Sequence, residues 1–323
     1  MARSEKMAAP MQQINPAMIW KVVLLIVLVV ALLTVATWIG LVRCSAIPFW
    51  CDAYWGIVRF PEGKPSVLIV TGYDGLGNAE LLQQAMQDPS HLGVRAQITE
   101  IAYTGIGNLR KHDLVIVTHA KTMSTKKLKM FADYVTTGGR LVWTGDAGTN
   151  FAKDENVDVF LYEDDLDLNA AHDALGPLAR KKGNEVVRFD YVLGVKYRTN
   201  YCSVKKCENE PLTYIGKLEA PDRFHRLINA ITPDLALRGD FSIVEALDDA
   251  TITNVLNVNY QSNLIGSDGE DYGRTFPIII ASAPTGIGER VAYYAVPPEN
   301  LVRPEMKEKF YSILENMYYG MLR

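Results

Sequence analysis

Three residues that can perform acid–base chemistry follow predicted strands in this sequence. Asp74, His119 and Asp146 each come shortly after an apolar run that is typical of a buried strand. Because the carboxyl ends of parallel strands meet at one edge of a sheet, where ligands bind in open α/β folds, we expect the three side chains to share a crevice. A histidine between two carboxylates can act as a general base or form half of a metal site.

A structural interpretation of the same residues is also open, and it is the one that we favour. Aspartate in a glycine-rich turn commonly accepts backbone N–H bonds, so Asp74 and Asp146 would cap the turns in which they lie. His119 would then be a hydrogen-bond partner of one of them. With the neighbouring polar residues, the predicted ligand-binding set is Tyr73, Asp74, Thr118, His119, Thr144 and Asp146.

The motifs for cofactors and metals are weak. Residues 72–77 place glycines between a strand and a helix, as a phosphate-binding loop does, but they match neither the dinucleotide fingerprint nor the Walker A motif. No histidine has ligand spacing to a cysteine. The acidic stretch at residues 163–173 lacks calcium-loop spacing and is interpreted as a solvated face. We therefore predict no cofactor and no metal.

The pattern of the elements predicts an α/β fold. Strand and helix signals alternate from residue 65 to residue 150, and a hairpin with a closing amphipathic helix follows after residue 275. Such alternation is typical of a doubly wound, mostly parallel sheet, here flavodoxin-like in its first half, with helices on both faces. The less regular stretch at about 151–250 is predicted to be an inserted subdomain.

An apolar segment near the N-terminus predicts a membrane anchor. Residues 22–42 carry no charged side chain, and a helix of that length crosses a hydrocarbon core of about 30 Å. A cleaved signal peptide is the alternative, but its apolar region is normally shorter, about 7–15 residues. The predicted organisation is a disordered stub at 1–18, a transmembrane helix at 19–43, a juxtamembrane segment at 44–64 and an α/β domain at 65–323.

The four cysteines bear on orientation, because the charges flanking the apolar segment are balanced. Four cysteines allow three pairings. We favour the two local pairs, Cys44 with Cys51 and Cys202 with Cys207, which fit an oxidising compartment. The N-terminus is then cytoplasmic and the C-terminal domain extracytoplasmic, in a single-pass arrangement.

Three stretches resemble the class I glutamine amidotransferase-like superfamily. They are Val-Leu-Ile-Val-Thr-Gly-Tyr at 67–73, Thr-Gly-Gly-Arg-Leu-Val-Trp-Thr-Gly at 137–145, and Gly-Glu-Arg-Val-Ala-Tyr-Tyr-Ala-Val at 288–296. The resemblance covers roughly residues 65–150 and 275–323 and implies a flavodoxin-like domain. Catalytic members place a cysteine in a Gly-x-Cys-x-Gly elbow. The comparable turns here, at 117–120 and 143–148, contain no cysteine, so amide hydrolysis is not carried over.

These observations predict a non-catalytic binding or scaffold domain, held on the outer face of a membrane. Its partners would be the lipid bilayer and other membrane-protein subunits. Nucleic acid is not predicted, because a net charge of -4 gives no overall basic field. The alternative is a hydrolase or lyase that uses Asp74, His119 and Asp146.

Overall fold

The computed structural model describes most of the chain. The described residues are 16–39, 42, 47, 49–152, 159–160, 176–182, 184–207, 214–229, 236–267, 269–301 and 307–322. They fall into two compact units, Met1–Tyr54 and Trp55–Arg323. The predicted stub at 1–18 and the acidic stretch at 163–173 lie wholly or almost wholly outside the described residues.

The first unit contains helix α1, Pro16–Trp38, whose side chains are mostly exposed. Its residues Met18–Trp38 are long and apolar enough to cross a membrane, a test that a signal sequence also passes. The indole N–H of Trp50 donates a hydrogen bond of 2.9 Å to the hydroxyl of Thr37, near the end of this helix. Trp50 begins helix α2, Trp50–Val58, which leads into the second unit.

The second unit is an α/β domain. Its helices are α3 (Ala79–Gln87), α4 (Ile106–Leu109), α5 (Thr125–Thr136), α6 (Phe189–Leu193), α7 (Tyr201–Lys205) and α8 (Lys307–Leu322). Its strands are β1 (Val67–Asp74), β2 (Ala96–Glu100), β3 (Leu114–Ala120), β4 (Thr122–Met123), β5 (Leu141–Thr144), β6 (Asn150–Phe151), β7 (Val159–Phe160), β8 (Ala179–Lys182), β9 (Glu185–Arg188), β10 (Val195–Asn200), β11 (Tyr214–Glu219), β12 (Ala236–Arg238), β13 (Ser242–Ala246), β14 (Ile252–Asn259), β15 (Thr275–Ser282) and β16 (Val291–Tyr294).

Nine of these strands form the central sheet, in the order β12-β11-β14-β15-β16-β5-β3-β1-β2. The five strands from β16 to β2 are mutually parallel, and the pairs between β12 and β16 are antiparallel. All but β15 and β11 run in the same direction. The predicted α/β fold around a mostly parallel sheet is therefore confirmed, and an antiparallel extension is added on one side.

The core explains why the sheet forms here. The apolar runs of β1 and β3 are buried on both faces, as strands of a parallel sheet must be. Trp143 of β5 is fully buried between Phe131 of α5, with ring centroids 5.2 Å apart, and Phe189 of α6, at 4.6 Å. Asn78 is the N-cap of α3, because its side chain accepts a 2.9 Å bond from the N–H of Leu81.

The segment predicted as an insertion does not stand apart from the sheet. Its strands β11 and β12 extend the central sheet, whereas β7, β8 and β9 form a small sheet and β10 pairs with β13. The segment therefore contributes both to the sheet and to what covers it. The hydrophobic periodicity of the sequence does not distinguish strands that extend the sheet from strands that cover it, since both are short and alternate apolar and polar residues.

One predicted disulfide is confirmed. Cys202 in α7 is bonded to Cys207, with Cα atoms 4.9 Å apart. Cys51 also forms a disulfide, and its predicted partner, Cys44, lies outside the described residues.

Removal of the Cys202–Cys207 bond should lower the free energy of unfolding only modestly. The bond closes a short loop, so the chain-entropy contribution is about 2 kcal/mol. We expect a Cys202→Ser, Cys207→Ser double variant of the full chain to lose no more than this in denaturant unfolding in mild detergent. An unchanged midpoint together with thiol labelling of the wild-type chain at both positions would contradict the disulfide.

Candidate functional site

The last residues of β1 and the loop that follows them, together residues 72–77, occupy the carboxyl edge of the sheet. Residues 72–77 cross the ends of β1, β3 and β5, and two of their glycines have backbone angles that favour glycine, with φ of +101° at Gly75 and +115° at Gly77. A Cβ atom at Gly77 would lie 2.0 Å from the hydroxyl oxygen of Thr118 and 2.9 Å from Oε1 of Glu299. The loop is therefore pressed against the side chains beneath it.

Asp146 holds the centre of this loop. Its side chain is 2% exposed, and Oδ1 accepts a 2.7 Å bond from the backbone N–H of Leu76. Oδ2 accepts a 2.8 Å bond from the amide of Asn200 and lies 3.3 Å from the ammonium of Lys121. A buried carboxylate must be paired and hydrogen-bonded to offset its desolvation, and this one is.

Asn200 connects Asp146 to the segment predicted as an insertion. The side-chain oxygen of Asn200 accepts bonds from the hydroxyls of Tyr197, at 3.0 Å, and Ser242, at 3.1 Å. Nearby, burial raises the pKa of Asp240, and the backbone N–H groups of Cys202 and Phe241 oppose that rise by donating to its carboxylate. Strands β10 and β13 therefore close over the Asp146 side of the crevice.

His119 also binds the loop. It has a left-handed backbone, with φ of +52°, and its N–H donates a 2.9 Å bond to the carbonyl of Leu76. Its ring Nδ1 lies 2.8 Å from the carbonyl oxygen of Gly75. A carbonyl only accepts, so Nδ1 carries the proton. Within the described part of the chain, Nε2 makes no hydrogen bond.

Glu299 is a member of this site that the sequence analysis missed. It is fully buried, and its Oε1 accepts bonds from the hydroxyl of Thr118, at 2.7 Å, and the N–H of Asn78, at 3.0 Å. Its Oε2 has no hydrogen-bond partner among the described residues. Burial raises the pKa of this carboxyl, although both bonds and the nearby His119 act in the opposite direction. The available signal was its position just after β16, whose carboxyl end lies at the same edge.

The remaining predicted residues, Asp74, Thr144 and Tyr73, make hydrogen bonds to groups outside the cluster around Asp146 and His119. Asp74 accepts bonds from the N–H of Thr122, at 2.9 Å, and from its hydroxyl, at 2.6 Å. The hydroxyl of Thr144 donates to the carbonyl of Val117, at 3.0 Å. Tyr73 is largely exposed, and its hydroxyl donates a 2.5 Å bond to Glu100.

The structure thus brings Thr118, His119 and Asp146 together around the loop and turns Asp74 towards Thr122. No direct hydrogen bond joins Asp74, His119 and Asp146 to one another in the described residues. The ring of His119 is oriented by a backbone carbonyl, whereas a catalytic histidine is commonly oriented by a carboxylate. The described residues also contain no group of three His, Cys, Asp or Glu side chains that could hold a metal ion.

Comparison with known proteins places the fold only. No protein-family model matches the chain, and no curated protein matches it. Among solved structures, it is similar to a ThuA-like protein from Bacteroides uniformis, with a TM-score of 0.51 and 13% identity over 79% of this chain and 90% of that one. It is also similar to the mmIFT52 N-terminal domain, with a TM-score of 0.45 and 11% identity over 80% of this chain and 96% of that one.

A cold-adapted β-galactosidase from Rahnella sp. R3 matches with a TM-score of 0.43 and 14% identity over 78% of this chain. The chain spans only 31% of that enzyme's length. At these identities a likeness shows the fold alone. The chain therefore has a ThuA-like structural neighbour, a protein with the class I glutamine amidotransferase-like fold.

Proposed function

We propose that this chain is a non-catalytic binding or scaffold domain, anchored in a membrane by α1 and facing outside the cytoplasm. One observation carries the proposal. The polar side chains at the carboxyl edge, where α/β enzymes place their catalytic groups, bind the backbone and the buried side chains of the domain itself. Asp146 is the clearest case, because Leu76, Asn200 and Lys121 surround its carboxylate.

The strand order supports a flavodoxin-like winding. The parallel part, β2-β1-β3-β5-β16, follows the 2-1-3-4-5 order of that fold when its own strands are numbered along the chain. In catalytic relatives of the resembled superfamily, the corresponding edge carries a nucleophilic cysteine. Here the turns at 117–120 and 143–148 have none. Without a thiolate, the covalent route to amide hydrolysis is lost.

Two independent features support this location. Helix α1 is apolar and exposed, as a span in lipid would be. The Cys202–Cys207 disulfide fits an oxidising compartment, which the cytoplasm usually is not. An anchored domain that binds without chemistry suits a subunit of a membrane protein complex.

A hydrolase or lyase is the second candidate, and one observation favours it. The Nε2 atom of His119 has no partner in the described part, and His119 lies close enough to the buried carboxyl of Glu299 to oppose the rise in the pKa of that carboxyl. A neutral imidazole with a free nitrogen can accept a proton. The non-catalytic proposal and the enzyme alternative differ in the expected effect of removing the imidazole ring of His119.

Replacement of His119 should separate structure from catalysis. Asparagine tolerates the left-handed backbone, so His119→Asn should lose only the bond to Gly75, about 1 kcal/mol in the free energy of unfolding. We expect wild type and variant to behave alike in a screen of amide, ester and glycoside substrates. An active wild type with a folded but inactive His119→Asn variant would overturn the non-catalytic proposal.

Asp146 should matter much more for stability. Asp146→Ala leaves Leu76 N–H and the Asn200 amide without their acceptor, and we expect a loss of about 3 kcal/mol in the free energy of unfolding. Asp249→Ala, at an exposed turn, is the matched control and should lose clearly less. Equal losses in denaturant unfolding would show that Asp146 does not hold the loop.

Glu299 should make stability depend on pH. Its pKa is raised in the folded state, so the folded chain binds the proton more tightly than the unfolded chain. Stability from this group is therefore present at low pH and falls as pH rises above about 4.3, the ordinary glutamate value, through the raised folded pKa. Glu299→Gln removes this loss and should gain relative to wild type across that interval. Glu80→Gln, an exposed control, should not gain stability over this pH interval. If the free energy of unfolding of wild type and of Glu299→Gln changed in parallel with pH, the raised pKa of Glu299 would be refuted.

The anchor and the orientation can be tested together. The full chain should remain in the membrane fraction after alkaline carbonate extraction, whereas a chain without residues 19–43 should be released. Alkaline phosphatase fused after Arg323 should be active, because that enzyme needs an oxidising compartment for its own disulfides. An inactive but expressed fusion would place the domain in the cytoplasm.

A further inference from the structure

The amino edge of the central sheet, opposite the candidate site, carries exposed apolar side chains on three separate loops. Phe60 is 84% exposed, Phe224 is 92% exposed and Ile287 is 71% exposed. Single exposed apolar residues are ordinary, but a shared surface of large ones usually marks an interaction site. The three loops must therefore be shown to share one edge.

Contacts within the domain place them there. Arg59, next to Phe60, is bonded at 2.8 Å to Asp113, which precedes β3. Phe224 precedes His225, whose Nε2 lies 3.0 Å from a carboxylate oxygen of Glu289. Glu289 precedes β16 and follows the turn that carries Ile287. Because β3 and β16 are parallel, the residues before them lie at the same edge.

The loops are built to project these side chains. Phe224 lies in a turn in which its N–H donates a 2.9 Å bond to the side chain of Asp222. Ile287 is at the tip of the β15–β16 turn, between Gly286 and Gly288, which have φ of +69° and +66° and open space around them. Neither apolar side chain has a packing role within the domain that would explain its type.

The charges around these side chains are mixed. Arg223, beside Phe224, is exposed, and its guanidinium has no hydrogen-bond or ion-pair partner in the part of the chain that is described. The exposed acidic residues at this edge include Glu62, which pairs with Arg59, and Asp222, Asp248 and Asp249. A purely electrostatic attraction is therefore not supported. These charges fit a mainly apolar contact in which one guanidinium binds a phosphate group, since arginine binds phosphate oxygens bidentately.

The path of the chain favours the lipid bilayer as the surface that contacts this amino edge. Helix α2 ends at Val58, Phe60 follows, and the chain then enters β1 at its amino end. Within the domain, Trp55 of α2 stacks on Tyr319 of α8, with ring centroids 6.0 Å apart, and the neighbouring Tyr318 donates to the carbonyl of Pro65. The point at which the chain enters the α/β domain and the end of α8 thus both lie at the amino edge.

We propose that the amino edge of this domain docks on the lipid bilayer, with Phe60, Phe224 and Ile287 in the interface and Arg223 on headgroup phosphates. The proposal rests on the membrane anchor proposed above. Aromatic side chains at loop tips favour the interfacial region, and long cationic side chains place their charge at the headgroups. Docking fixes the carboxyl edge away from the membrane, where a partner can reach it.

Depth-dependent quenching can test this docking on the full chain. Single variants Phe224→Cys and Ile287→Cys would be labelled with a fluorophore, without reductant, since Cys51, Cys202 and Cys207 are disulfide-bonded. The labelled chains would be reconstituted in phosphatidylcholine vesicles containing phosphatidylglycerol and brominated lipid. The matched control is Tyr103→Cys, because Tyr103 is 80% exposed but follows β2 at the carboxyl edge. Unsubstituted chain gives the labelling background.

We expect quenching at positions 224 and 287 to be several-fold stronger than at position 103. If quenching at positions 224 and 287 were as weak as at position 103, while the chain still resisted carbonate extraction, docking would be overturned and the anchor would stand. That result would overturn docking on lipid even if another protein covers these loops. Release of the chain by carbonate would overturn the anchor and, with it, the docking. All three substituted positions are exposed, so unfolding of the variants is not expected.

Discussion

The buried carboxylate of Asp146 is the interaction on which the carboxyl edge depends. A charge without solvent is stable only if donors surround it, and those donors come from three parts of the chain: Leu76 in the loop after β1, Lys121 after β3 and Asn200 in β10. One side chain therefore joins the sheet, the loop and the covering segment. Loss of the Leu76 donor would leave Oδ1 unpaired in a low-dielectric environment, whereas Oδ2 has both Asn200 and Lys121.

The same arrangement explains the glycines of the loop. Residues 72–77 lie so close to Thr118, Asp146 and Glu299 that a side chain at Gly77 would collide with two of them. In a nucleotide-binding protein, glycines at this place let the backbone approach a phosphate. Here they let the backbone approach the domain's own polar side chains. A crevice common to α/β folds is thus used for internal hydrogen bonds.

The two edges of the sheet consequently have different surfaces. At the carboxyl edge, Thr118, Asp146 and Glu299 are turned inward, whereas Tyr73 is largely exposed and Nε2 of His119 makes no hydrogen bond among the described residues. The amino edge presents Phe224 and Ile287 to solvent and receives the chain from α2. In an anchored domain this difference has a physical meaning, because moving apolar loop tips from water into a lipid interface lowers the free energy. Binding and anchoring would then lie at opposite edges.

The sequence by itself determined the apolar N-terminal helix, the α/β class and the local disulfide. Each follows from short-range information: a long apolar run, strands and helices with their own periods, and two cysteines that are close in the chain. Only the tertiary structure decided the antiparallel extension by β11, β12 and β14, the part that Asn200 plays over Asp146, and the position of Glu299 under Thr118. These depend on contacts between residues far apart in the chain, Glu299 and Thr118 above all, and no local pattern records which distant strand ends will meet.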